Sequence, residues 1–243
     1  MKMKALVCST ALAGLLAASP VLAADVLYSA PAPIAPAAGG PYFEVKGGAN
    51  IISSDPGFAT DAGDLAAGTP DTLNLDTGFF GSVAFGYAFG NRWGPLAPRL
   101  EVELGFLNNN VGTYDDDGPG VGGAVAAGQG QLNAFFGLTN LLFDIPVGWG
   151  GLTPYVGAGI GFANVRLDQV GTVGGTVFNS EDTAFAWDLT AGVSYDISRN
   201  VTFYVFYRFL QFNSVNGTLI GGGFTSSDDI DNHQVGAGIR VHL

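Results

Sequence analysis

In the segment Val235-Gly-Ala-Gly-Ile-Arg-Val-His-Leu243, the odd positions carry Val235, Ala237, Ile239, Val241 and Leu243, while the even positions carry two glycines, Arg240 and His242. Side chains of an extended strand point alternately to its two faces, so this segment has one wholly apolar face and one that is small and polar. Such a strand needs an apolar medium on one side and a crowded polar space on the other. The same alternation recurs seven more times upstream. Backbone groups in lipid must be paired within the protein, which permits only helices and closed sheets. No apolar run in the chain approaches the roughly twenty residues of a spanning helix. The pattern therefore predicts an all-β fold, an eight-stranded antiparallel up-and-down transmembrane β-barrel.

Phased on their apolar faces, the strands fall at 41–52, 77–89, 98–108, 131–145, 153–167, 183–197, 200–213 and 230–243. The connections alternate in length. Long ones cover 53–76, 109–130, 168–182 and 214–229; short ones cover 90–97, 146–152 and 198–199. Long loops outside and short turns inside, with both termini in the periplasm, are the arrangement of barrels in a bacterial outer membrane.

Residues 1–23 read as a secretory signal, with Lys2 and Lys4 ahead of the apolar stretch Ala5 to Ala18 and a small-residue cleavage site at Val21-Leu-Ala23. Residues 24–40 form a Pro/Ala-rich periplasmic leader whose prolines favour extended geometry and cannot join a ladder. The barrel takes 41–243 as one domain. The single cysteine, Cys8, lies within the signal, so the mature chain has no disulfide framework. Without Lys2 and Lys4 the chain keeps 7 basic residues against 21 acidic ones, a balance that repels nucleic acid.

The outward faces collect Phe43, Val45, Phe85, Val102, Leu104, Val156, Ile160, Leu189, Phe203 and Val205 among others, and no charge except Arg166, placed at the headgroups by its position near the loop end of its strand. Trp93, Trp149 and Tyr195 mark the periplasmic aromatic girdle, and Phe106, Phe162, Phe185 and Trp187 the outer one. The inward faces gather Glu44, Lys46, Arg99, Glu101, Glu103, Asp144, Asp188, Asp196, Arg208 and Arg240, with His242 near the periplasmic mouth. Charges shielded from bulk water need partners, so the four bases are expected to bridge to the carboxylates. Such a network rigidifies a narrow lumen; a path for protons or small ions is the alternative use of it.

Fourteen of the 21 acids lie in or beside the long connections, with no Lys or Arg among them. Self-repulsion and solubility account for such a cluster. A sharper reading has Asp115, Asp116, Asp117, Asp228 and Asp229 bridged by divalent cations to lipopolysaccharide phosphates or a host surface. Gly118-Pro-Gly-Val-Gly-Gly123 has dinucleotide-loop spacing but no helix after it, and two distant histidines make no metal site. His233, near Asp231, Ser226 and Ser227, sits at the end of the barrel where a lipid A hydrolase would act, yet no local His-x-Ser pattern accompanies it.

Pro41-Tyr-Phe-Glu-Val-Lys-Gly-Gly48, Pro154-Tyr-Val-Gly-Ala-Gly-Ile-Gly-Phe-Ala163, Val235-Gly-Ala-Gly-Ile-Arg-Val241 and the Pro/Ala leader after Ala24 resemble the small outer-membrane barrels of the opacity and outer-membrane protein A transmembrane superfamily, especially alphaproteobacterial members. The resemblance spans residues 24–243. It implies an envelope component supporting membrane integrity, presenting loops to surfaces or hosts, embedded in outer-membrane lipid and lipopolysaccharide, and requiring neither cofactor nor catalytic residue. It also implies that Val235, Ala237, Ile239, Val241 and Leu243 serve as the signal read by the barrel-assembly machinery, although the family usually ends in Phe. A narrow small-solute porin and a lipid A-modifying hydrolase are the alternatives.

Overall fold

The computed structural model describes residues 39–53, 57–58, 71–90, 93–116, 124–127, 130–171, 177–218 and 225–243. Eight long strands follow in chain order: β1 (Gly40–Ile52), β2 (Gly78–Ala88), β3 (Ala97–Asp116), β4 (Gln131–Asp144), β5 (Leu152–Gly171), β6 (Val177–Asp196), β7 (Val201–Thr218) and β8 (Thr225–His242). Each pairs antiparallel with the next, and β8 returns to pair with β1, from Tyr42 opposite His242 to Ile52 opposite Asn232. The sheet is thereby closed, which removes every open edge that lipid could not satisfy. The expected signal at 1–23 and all but the last two residues of the expected leader at 24–40 lie outside the described residues.

Glycine at positive φ shapes the short turns, at Gly94 between β2 and β3 and at Gly148, Gly150 and Gly151 between β4 and β5. At the other end the strands run on. β3 and β5 to β8 extend four to eight residues beyond the predicted limits, and the segments Asp71–Leu75 and Ala124–Ala127 add to the far end of β3, with Gly57–Phe58 beside the former. The described ends of the expected loops are therefore largely sheet.

The reason lies in a reversal of phase. Toward the loop end, the outward faces carry a ring of phenylalanines, Phe79, Phe106, Phe135, Phe162, Phe185 and Phe209, and the next outward position on those strands is Thr77, Asn108, Asn133, Asn164, Thr183 and Gln211 in turn. β1 and β8 make the same change from Ile51 to Ser53 and from Val235 to His233. Beyond this collar the apolar residues point inward instead: Leu132, Val165, Leu167, Phe212, Val215 and Ile230 are all buried. The wall has left the lipid and obeys the rule of a barrel in water. Below the ring, Phe43, Val45, Phe85, Val102, Leu104, Ile160, Leu189 and Val205 are exposed to the membrane. From Phe43 to Ile51, or Val201 to Phe209, is eight steps of about 3.4 Å at a tilt of about 40°, a height of about 21 Å, near the ~25 Å apolar band of such barrels.

Trp93 and Trp149 project from the periplasmic turns, each 64% exposed, and Tyr195 lies on the wall nearby. Trp187 sits at the opposite rim, its ring against Phe209 at 5.4 Å and its Nε1 donating to Gln211 Oε1 at 2.8 Å. These rings thus stand at the two ends of the apolar belt.

Candidate functional site: the charged lumen

Alternation along the strands delivers the charged side chains to the inside, and small neighbours make room for them. Glu44 faces Ala84 on one side and Arg240 on the other; Lys46 faces Ser82 and Gly238; Glu101 faces Gly86. Lys46 Nζ donates to Glu101 Oε1 at 2.7 Å and Glu103 Oε2 at 2.9 Å, with Glu44 Oε2 at 3.6 Å. Arg208 donates through Nη1 to Glu103 Oε1 at 2.8 Å and through Nε to Gln234 Oε1 at 2.7 Å. Arg240 Nε donates to Glu44 Oε1, and Tyr204 OH to Glu44 Oε2 at 2.7 Å. Arg99 bridges to Asp144 Oδ2 at 2.9 Å toward the periplasmic mouth and reaches Tyr42 OH at 3.2 Å.

Rings enclose the guanidiniums. Arg240 lies over Tyr42 and Tyr204, Arg99 over Tyr42 and Tyr155, and Arg208 among Phe80, Phe136 and Phe206, at 5.1 to 5.9 Å. Planar, weakly hydrated guanidinium suits such surroundings better than ammonium would.

Eight of the ten charged residues read from the sequence meet in this network. Asp188 and Asp196 also face inward, but among the described residues they bridge to no base. They accept hydroxyls instead, from Thr190 at 2.8 Å and Thr202 at 2.6 Å. The sequence reading passed over a second group, the amides Asn50, Asn109, Asn232 and Gln234. Gln234 Nε2 donates to Asn50 Oδ1 at 3.0 Å, and Asn50 Nδ2 donates to Asn109 Oδ1 at 2.7 Å and Asn232 Oδ1 at 3.1 Å. Extending inward parity from charged residues to amides would have found them. Together the two groups make a continuous polar column from Asp144 to Asn109.

That column leaves almost no space. Within the charge network the free volume is about 10 Å³, room for roughly one water. Toward the loop end Leu107, Leu210, Phe212 and Ile230 are buried beside the amides, while Phe136 and Leu138 lie level with Arg208 and Glu103. A cavity of about 230 Å³ opens below, toward the periplasm, lined by Arg99, Asp144, Asp196, Arg240 and His242 among others.

Other predicted positions fall elsewhere. Arg166 is exposed above the phenylalanine ring and donates to Glu181 Oε2 at 2.9 Å, an interaction that holds the Glu181 carboxyl below the usual carboxylate range. Asp229 Oδ1 accepts from the Ser214 backbone N–H at 2.8 Å; Asp117 lies outside the described residues, as do the side chains of Asp115, Asp116 and Asp228. Asp231 Oδ1 accepts from Gln211 Nε2 at 2.6 Å, and two residues on, on the same strand face, stands His233. Its ring nitrogens meet Tyr207 OH and Ser53 Oγ. β8 carries Val235, Ala237, Ile239 and Val241 on the lipid face, and the Leu243 N–H closes onto Pro41 O at 3.0 Å.

The sequence profile of the outer membrane protein beta-barrel domain matches residues 10–242, nearly the whole chain. The chain belongs to that family. The barrel accordingly resides in the outer membrane. Uncharacterized proteins of Brucella abortus, Brucella suis and Brucella melitensis are 27% identical to it over 168 residues, covering 61% of this chain and 58% of theirs. The chain thus spans less than two thirds of the length of the curated relatives it matches. Among solved structures, the outer membrane protein OprG of Pseudomonas aeruginosa superposes with a TM-score of 0.54 at 14% identity, covering 86% of this chain and all of the OprG chain. Neisserial surface protein A gives a TM-score of 0.49 at 19% identity, covering 84% and 97%. At that identity the likeness to OprG is one of fold alone.

Proposed function

We propose that this outer-membrane barrel is a structural and surface-interaction protein, not a solute channel. The filled lumen carries the reading: a hydrogen-bonded charge network with about 10 Å³ of free space, capped by buried Leu107, Leu210, Phe212 and Ile230, gives a hydrated solute no continuous route. The buried pairs tie β1, β3, β7 and β8 across the bore and make the wall stiff. On that support the strands rise past the phenylalanine ring and carry Asp76, Asp168, Glu181, Asp182 and Asp229 beyond it. Outer-membrane lipid and lipopolysaccharide are the immediate partners, and β8 is the element offered to the barrel-assembly machinery.

Planar bilayers test the reading directly. The folded, purified protein is expected to give no steady conductance steps at 1 M KCl. Regular openings of uniform size would overturn the proposal in favour of the narrow porin. A deletion strain should show increased detergent sensitivity, and excision of 59–70 or 117–123 should lower adhesion to surfaces without changing heat-modifiable gel migration.

A further inference from the structure

On the outer wall, at the collar where phenylalanine gives way to polar side chains, β1, β7 and β8 set three reactive groups in a row. His233 is in register with Ile51 on one side and Phe209 on the other, so its ring lies between neighbouring strands. Its Nε2 is 2.9 Å from Ser53 Oγ and its Nδ1 2.6 Å from Tyr207 OH. The Ser53 backbone N–H donates to Asp231 O at 3.0 Å, fixing the end of β1, while the Phe209 ring packs on the imidazole at 5.3 Å. Ser53 is exposed and Tyr207 nearly half so, and both look out to the lipid and not into the lumen.

Elsewhere around the collar the contacts are those of a polar seam: Asn108 with Asn133, Asn164 with Glu181, Trp187 with Gln211. At His233 a hydroxyl meets an imidazole nitrogen whose ring is held from behind by a second group, which is the geometry that activates a nucleophile. The depth matters as well. Ser53 and His233 sit one outward position above the apolar belt and Tyr207 at its upper margin, the depth at which the ester linkages of outer-leaflet lipids lie.

We propose that Ser53, His233 and Tyr207 form an outward-facing acyl-ester hydrolase site whose substrate is a carboxylic ester of an outer-leaflet lipid. With Tyr207 OH accepting from Nδ1–H, the Nε2 lone pair faces the Ser53 hydroxyl. Ser53 Oγ attacks the ester carbonyl and its proton passes to His233 Nε2. The carbonyl C–O bond to the alcohol breaks, and the departing alkoxide takes that proton. Water, deprotonated in turn by His233, then attacks the acyl-Ser53 ester and releases the fatty acid and the free serine. Ser53 and His233 are the catalytic residues; Tyr207 is a positioning residue. A neutral phenol stabilises the imidazolium less than a carboxylate does, so turnover is slow and acylation is the sensitive readout.

The full chain, folded in phospholipid vesicles, is treated with a long-chain alkyl fluorophosphonate and the modified peptide located by mass. Labelling is expected at Ser53, abolished in Ser53→Ala and at least about a hundredfold slower in His233→Gln. With a long-chain nitrophenyl ester, Tyr207→Phe should lower kcat and leave KM unchanged. All three side chains project outward, and heat-modifiable migration verifies that each variant is folded. Absence of labelling, labelling at another serine, or Ser53 labelling undiminished in His233→Gln overturns the proposal.

Discussion

Arg208 offers the sharpest test of how the lumen is held. Its Nη1 pairs with Glu103 Oε1 at 2.8 Å, both side chains almost wholly buried, and its stem and head fill the space among Phe80, Phe136 and Phe206. In Arg208→Met the thioether keeps most of the volume and much of the ring contact, so packing changes little. Glu103 then loses one of its two cations but keeps Lys46 at 2.9 Å and the Asn140 amide at 3.1 Å. Removing one member of a buried pair costs about 3 to 5 kcal/mol, and the surviving partners place this case near about 3 kcal/mol. Glu103→Gln should cost about the same, since the buried Arg208 guanidinium then keeps only neutral amide acceptors, Gln234 among them, in place of its carboxylate. The double variant removes both charges, and Lys46 still has Glu101 at 2.7 Å. It should lie within about 1 to 2 kcal/mol of the parent, because desolvating the pair offsets most of its attraction. Reversible urea unfolding in lipid vesicles, followed by tryptophan fluorescence and gel migration, measures all four corners of the cycle. Singles within about 1 kcal/mol of the parent, or a double equal to the sum of the singles, would refute the argument that Glu103 and Arg208 depend on each other.

Val205→Arg places a guanidinium on the lipid face midway between Val201 and Phe209, and should lose about 2 to 4 kcal/mol in the same assay. Gly161→Ala would drive a methyl group into the backbone carbonyl of Gly137 on the neighbouring strand, so folded yield should fall sharply. Gly94→Ala, at φ +65° with nothing near its Cβ position, should cost only about 1 kcal/mol. Glu181→Gln should leave the unfolding midpoint at pH 7 unchanged, since both partners are about half exposed. The depressed Glu181 carboxyl means that any contribution of the pair is present above its ordinary value of 4.5 and fades as the pH falls below it. Leu243→Phe should raise the rate of assembly into native outer membrane, measured by pulse-chase conversion to the heat-modifiable form.

The membrane-facing part of this fold is legible because two independent signals share one period. Val102 and Val205 point one way and Arg99, Glu101 and Arg208 the other, and a single phase satisfies both. Legibility ends at the phenylalanine ring. Past Phe162 the outward residue is Asn164 and the inward ones are Val165 and Leu167, so a search for outward grease finds the pattern inverted and ends the strand four residues early. The composition of the lumen is also legible, but its pairings are not. Glu103 meets Arg208 across 105 positions of sequence because curvature brings β3 opposite β7, and one chain says nothing about which inward side chains face each other across a bore. The contact of Ser53 with His233, 180 positions apart, depends in the same way on the closure of β1 against β8.

The inversion at the collar gives the chain a double safeguard on alignment. A slip of one residue between neighbouring strands would turn carboxylates toward hydrocarbon below the ring and, in the same move, turn Leu132, Leu167, Phe212 and Ile230 toward water above it. Tilting or sinking the cylinder by one step is resisted likewise, because either solvent then meets the wrong texture. The barrel's depth and its strand alignment are therefore fixed together, by two media with opposite demands acting on one continuous ladder.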